Sequence, residues 1–181
     1  MSNERMAALQ KLSRRMKLMC MVALAIVLLA ALIALQGLAT DPRATLAGID
    51  GIRLYPDRIG FWQLAGIATI NGISILLVSA GLFALWEMFS EFADGEVLSR
   101  VPARHMRQAG KFFFATAIWG VFAHMATVLL ATMNNPVGER QLSIAVNSEQ
   151  LFPILLAGVL FAVGHVLTAA TEVDEENKGF V

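Results

Sequence analysis

The sequence predicts an all-α membrane protein, a bundle of four transmembrane helices, and two observations lead to that prediction. Four stretches of more than twenty residues contain no Lys, Arg, Asp or Glu, and 57% of the 181 residues are hydrophobic. A helix needs about 20 apolar residues to cross a hydrocarbon core of about 30 Å, so each stretch is long enough to span a bilayer. The uncharged stretches are Leu18–Thr40, Ile59–Trp86, Phe112–Gly138 and Gln150–Thr171.

These stretches leave little chain for anything else, so the sequence predicts a single membrane domain over residues 1–181. We place the spans at about 18–40, 60–88, 111–133 and 151–172, with loops at about 41–59, 89–110 and 134–150. None of the loops is long enough to bury a core of its own, so we expect no separate soluble domain. The single cysteine, Cys20, excludes an internal disulfide.

The distribution of basic residues predicts the orientation of the spans. Ten of the 14 Lys and Arg residues lie in the two terminal tails, in loop 89–110 or at Lys111 directly after it, and four lie in the other two loops. Because Lys and Arg are retained on the cytoplasmic side, we expect both termini and the central loop to be cytoplasmic. The prediction is a multi-pass protein of the cell inner membrane, surrounded by the lipid bilayer.

The two outer loops each contain a short alternation of apolar and polar residues. The segments are Gly51–Tyr55 in the first outer loop and Gln141–Val146 in the second. Alternation of this kind is typical of a β-strand. One such segment in each loop predicts a small two-stranded sheet that caps the bundle.

The central loop is predicted to be largely helical. Apolar residues recur at helical spacing from Leu82 to Phe92, so span two should continue as a helix to about Ala93, and Gly95 should end it. Ser99 or Val101 then precedes a basic helical run that leads into span three. This loop supplies the residues that we predict to contact a protein partner, namely Phe89, Phe92, Gly95, Arg104 and Arg107.

Two segments of the chain resemble a protein family. Residues 92–98 read Phe-x-x-Gly-x-Val-Leu and are followed by the basic stretch Arg104–Gly110, while Glu172–Val181 forms an acidic tail. In these features the chain resembles a family of bacterial four-span membrane proteins that is known only as a domain of unknown function. The resemblance implies a fold and a bacterial inner-membrane location. It implies no activity, cofactor or catalytic residue.

Three polar residues inside the predicted spans are the candidates for an intramembrane site: Asn71, His124 and His165. At 1.5 Å per residue they lie about 16, 15 and 21 Å from the outer ends of their spans. Asn71 and His124 have matching depths, which predicts a hydrogen bond between spans two and three. A second interpretation makes His124 and His165 the axial ligands of a b-type haem, although their depths differ by about 6 Å.

Small residues at four-residue spacing occur in all four spans and predict close helix approach. The pairs are Ala30/Ala34, Ala68/Gly72, Ala80/Ala84, Thr116/Gly120 and Gly158/Ala162. We therefore expect a compact bundle, with faces left over for a partner or for a second copy of the chain.

The sequence carries no pattern that indicates a reaction. It contains no phosphate-binding loop, no recognisable nucleophile with its base, no metal-ligand cluster, and no charged side chain in the interior of a span. Acidic residues near the central basic run offset its charge, which argues against nucleic-acid binding. We therefore expect a protein that is not an enzyme and that holds no cofactor or metal.

The functional prediction is a non-catalytic accessory or regulatory subunit. It would contact a larger membrane complex or a small cytoplasmic regulator through the central loop and the tails. The alternative is a small permease or lipid-binding protein that uses a cavity around Asn71 and His124.

Overall fold

The computed structural model describes residues 3–46, 55, 59–95, 99–136 and 148–179. Within these ranges the chain forms four long helices and one short helix. They are α1 (Asn3–Thr40), α2 (Pro42–Leu46), α3 (Phe61–Asp94), α4 (Arg100–Thr132) and α5 (Ser148–Gly179).

The predicted all-α four-helix bundle is confirmed. The four long helices are each long and apolar enough to cross a membrane, as expected of a multi-pass membrane protein. The described part of the chain contains no strand. The predicted outer sheet lies outside the described residues except for Tyr55, which is not in a strand.

Local chemistry explains where the helices end. Helix α1 ends at Thr40, just before the Asp41-Pro42 pair, because the residue before a proline is disfavoured in helical geometry. Helix α3 ends at Asp94, and Gly95 follows in the left-handed region with φ 94°. The Gly95 N–H donates to the carbonyl oxygen of Phe92, which satisfies the end of the helix. The predicted stop at Gly95 is therefore confirmed.

The long helices pack in chain order. Helix α3 lies between α1 and α4, and α4 lies between α3 and α5. We call the end of the bundle that contains the start of α1, the end of α3, the start of α4 and the end of α5 the basic end. The other end, where α2 lies, is called the opposite end.

Two hydrophobic clusters hold the bundle together. The one nearer the basic end joins α3, α4 and α5 through Ala84, Ala109, Phe113, Ala157 and Leu160. The one nearer the opposite end joins α1, α2, α3 and α4 through Leu38, Leu46, Ile67 and Ala131. Small residues permit the close contacts in the first cluster, as predicted for membrane helices. A Cβ added at Gly81 would lie 3.2 Å from the Phe113 ring.

Helix α5 is displaced toward the basic end relative to α4. Gly110 of α4 lies against Ala157, and Gly164 of α5 lies against Ala103 and Arg107. From this contact, α5 extends nine residues back to Ser148, about 14 Å, whereas α4 extends twenty-two residues to Thr132, about 33 Å. The start of α5 is therefore about 20 Å short of the end of α4. The two spans therefore do not begin at the same level.

Candidate functional site

Polar contacts join three helices at the basic end. The Lys17 ammonium donates to Ser90 Oγ at 2.9 Å, and its nitrogen lies 4.9 Å from the centroid of the Trp86 ring. Between α3 and α4, His105 Nδ1 lies 2.9 Å from Glu87 Oε2. Cations favour the face of an indole ring, so the Lys17 contact combines a hydrogen bond with a cation–π interaction. These contacts fix α1 and α4 on either side of α3.

Three of the predicted partner-contact residues take part in packing within the chain. Phe89 and Phe92 are half-buried and form an edge-to-face pair with ring centroids 6.3 Å apart. Gly95 ends α3, and a Cβ there would lie 3.1 Å from Gln10 Nε2 of α1. Gly95 therefore lies at the junction of α1 and α3, while the two phenylalanines pack against each other on α3.

The two predicted arginines differ in their surroundings. Arg107 is half-buried, and its Cγ would lie 2.8 Å from a Cβ added at Gly164, so its stem covers α5. Arg104 is exposed, and Val101, one turn earlier on α4, is 44% exposed. Arg104 and Val101 are thus accessible to another molecule at this end.

Asn71 does not pair with His124. Its Nδ2 donates to the Ile67 carbonyl oxygen at 2.9 Å, one turn back on the same helix. No hydrogen bond between Asn71 and His124 occurs in the described part of the chain. The predicted matching depth did not produce a contact, because depth along a helix does not fix which face a residue occupies.

The haem interpretation is wrong for this arrangement of helices. Gly164 packs against Arg107 of α4, so its neighbour His165 lies at that level of the bundle. His124 is seventeen residues further along α4, which is about 26 Å at 1.5 Å per residue. Two axial ligands must meet on one iron, so these two histidines cannot share a haem. The displacement of α5 explains why the depth predicted from the sequence was misleading.

Two polar links between α3 and α4 were missed by the sequence reasoning. Gln63, only 4% exposed, donates from Nε2 to the Leu130 carbonyl oxygen at 2.7 Å and accepts from Asn134 Nδ2 at 2.9 Å. Trp119 Nε1 donates to Ser74 Oγ at 3.0 Å. Gln63 could have been identified from the sequence, because it is an amide in the first turn of an otherwise apolar span. Such a group needs a hydrogen-bond partner in lipid.

A groove runs between α1 and α3 in the half of the bundle near the opposite end. Its volume is about 600 Å³, within the range of about 300–1,000 Å³ for small-molecule pockets. Asn71 and Gly72 of α3, Leu46 of α2 and Thr127 of α4 line it, together with α1 residues between Leu28 and Leu38. Asn71 therefore lines a cavity, as the alternative function requires, whereas His124 is not among the lining residues.

The two regions differ in the side chains that they present. The groove is lined mainly by apolar side chains, and the described residues of the basic end present both charged and apolar side chains. Within the described ranges, no group of three or more His, Cys, Asp or Glu side chains is placed to hold a metal ion.

Comparison with known proteins adds no relative: no family model matches the chain, and no curated protein or solved structure matches it. The resemblance to the four-span bacterial family stays a prediction. Any functional conclusion must therefore come from the geometry.

Proposed function

We propose that this protein is a non-catalytic accessory or regulatory subunit of the bacterial inner membrane. Its basic end faces the cytoplasm and docks a protein partner, either a larger membrane complex or a small cytoplasmic regulator. The single observation that carries the proposal is that the chain at the basic end is helical, because α3 and α4 continue as helices beyond their uncharged stretches.

The long helices exceed what the membrane requires. Helix α3 has 34 residues, about 51 Å, against a hydrocarbon core of about 30 Å. The excess lies at the basic end, because charges resume at Glu87 of α3 and persist in α4 up to Lys111. A flexible loop would be enough to connect two spans, so a rigid helical extension supports a docking role.

Contacts between helices keep this extension in one arrangement. Lys17 ties α1 to α3 through Ser90, and Glu87 lies beside His105 of α4. A rigid surface binds a partner with less loss of conformational entropy than a mobile loop. The construction therefore favours a preformed interaction surface.

The exposed residues indicate the chemistry of the partner. Val101 and Arg104 lie one helical turn apart on α4, and Leu12 of α1 is 57% exposed at the same end. Arginine is enriched at protein interfaces, and Arg104 lies here beside an exposed apolar side chain. We expect the partner to present an apolar pocket bordered by carboxylates.

The test is purification in mild detergent of wild-type protein and of a Val101→Asp variant from the native host. We expect a protein that copurifies in a fixed ratio with wild type and is lost with Val101→Asp, because the substitution places a carboxylate in the apolar contact. The matched control is Met133→Asp, an exposed apolar residue at the other end of the same helix.

Two outcomes would contradict the proposal. One is that wild type purifies without any stoichiometric companion at low detergent, and the other is that both variants lose the companion equally. Mass measurement of the intact particle identifies the companion as a different protein or as a second copy of this chain.

A further inference from the structure

The groove between α1 and α3 lies apart from the proposed docking surface at the basic end. We propose that it holds one acyl chain of a membrane phospholipid, from the leaflet at the opposite end. The groove has the position, length and apolar lining that an acyl chain requires, and helix α2 closes one end of it.

The groove lies at the level of the hydrocarbon. Its α1 wall extends from Leu28 to Leu38, within the uncharged stretch Leu18–Thr40. Ten residues of helix measure about 15 Å, half of the hydrocarbon thickness of about 30 Å. Leu28 is also about 15 Å from Leu18, so the groove begins near the bilayer centre. Its length therefore matches the acyl region of one leaflet.

The short helix α2 closes the groove at the opposite end. Leu46 is 3% exposed and packs in the cluster that contains Leu38 and Ile67. Thr45 and Leu46 both line the groove. An acyl chain in the groove would therefore lie beneath α2 and alongside α1.

The lining suits hydrocarbon rather than a polar solute. Eleven of the fourteen lining residues are apolar, and the three polar ones are Thr45, Asn71 and Thr127. The Asn71 amide already donates to the Ile67 carbonyl, which lowers the cost of placing it beside an alkyl chain. A transported ion would need charged ligands or several free polar groups, and this wall does not supply them.

One residue allows the groove to be filled without disturbing the helices. A Cβ added at Gly72 would meet nothing within 4 Å, so the side chain of a Gly72→Leu variant would project into the empty space. Gly158 of α5 is also a helical glycine whose added Cβ would meet nothing within 4 Å, and it does not line the groove. Gly158→Leu is therefore a matched control.

The experiment uses the full chain in vesicles of phosphatidylethanolamine and phosphatidylglycerol that contain a phosphatidylglycerol with a diazirine in one acyl chain. After illumination, peptide mass spectrometry locates the attached lipid. We expect labelling concentrated on α1 residues 28–38 and α3 residues 67–75 in wild type and Gly158→Leu, and reduced to the level of other lipid-facing residues in Gly72→Leu.

Uniform labelling of all lipid-facing helices in wild type would overturn the proposal, as would unchanged labelling of the groove in Gly72→Leu. Circular dichroism and detergent elution profiles of both variants establish that they fold. If Gly72→Leu misfolds, Ala68→Leu, at another residue of the groove lining, replaces it with the same readout. None of these results depends on the companion expected at the basic end.

Discussion

The interface between α1 and α3 differs between its two halves. Near the basic end the two helices are in contact. Lys17 donates a hydrogen bond to Ser90 and lies over the Trp86 ring, and Gln10 packs against Gly95. Near the opposite end the same two helices separate around the groove. The comparison shows that one helix pair can be tightly joined at one end and leave a ligand-sized space at the other.

Small residues explain the open half. The pair Ala68 and Gly72 was predicted to bring helices together, yet both line the groove. Across from them α1 also presents small residues, Ala31 and Ala34. No side chain fills the space in front of Gly72, whereas Gly81 faces the Phe113 ring and makes a close contact. A small residue promotes packing only when a larger side chain fills the space opposite.

The largest effect is expected at the closed α4–α5 contact. Gly110 is buried, and its added Cβ would lie 3.4 Å from the Ala157 carbonyl oxygen and from Leu160 Cβ. We expect Gly110→Leu to lower the free energy of unfolding by about 2 kcal/mol, because the leucine forces the helices apart. Denaturant unfolding in detergent micelles measures this change.

Gly158→Leu is the control for that experiment, since its side chain enters open space. Equal destabilisation by both variants would show that leucine at any helical glycine is harmful. It would remove the distinction between glycines that pack against a neighbouring helix and glycines that face open space, on which the comparison rests.

A smaller effect is expected from Gln63, which links α3 to α4 near the opposite end. We expect Gln63→Leu to destabilise the fold by about 1 kcal/mol, because two bonds between the helices are lost and membrane hydrogen bonds contribute about 0.6 kcal/mol each. The same unfolding assay applies. Gln36→Leu, at an exposed position on α1, should leave stability unchanged.

The smallest effect is expected from Lys17→Met, which removes the hydrogen bond to Ser90 and the contact with Trp86. A loss of about 0.5 kcal/mol should be confined to the basic end of α1. Hydrogen exchange of α1 amides should accelerate in residues 10–20 and stay unchanged in residues 28–38. Lys11→Met, with an exposed side chain, provides the comparison. Unchanged exchange in Lys17→Met would mean that other contacts close this half.

The sequence predicted those parts of the fold that depend on local chemistry. The break at Gly95 follows from the left-handed conformation that glycine permits, and the structure has it. Of the two alternatives for the start of the basic helix, Ser99 and Val101, the structure has Ser99. Because 20 apolar residues have few alternatives in a bilayer, the four spans were predictable as well.

What the sequence could not provide was the lateral arrangement of the helices. The displacement of α5 depends on the contact of Gly110 with Ala157 and of Gly164 with Arg107, residues distant in the chain. The depths assigned to His124 and His165 assumed that every span begins at one level, so their predicted proximity was wrong. The alternative function placed a cavity around Asn71 and His124; Asn71 lines the groove, whereas His124 is not among its lining residues.

The stacking of Lys17 over Trp86 has an optical consequence. The three tryptophans occupy different surroundings: Trp62 is 83% exposed, Trp119 is bonded to Ser74, and Trp86 lies beneath an ammonium group. With Trp62 and Trp119 replaced by phenylalanine, the emission of the remaining indole would respond to the distance of that charge. The chain thus contains its own fluorophore for following, in real time, whether the first helix stays against the third when a partner arrives.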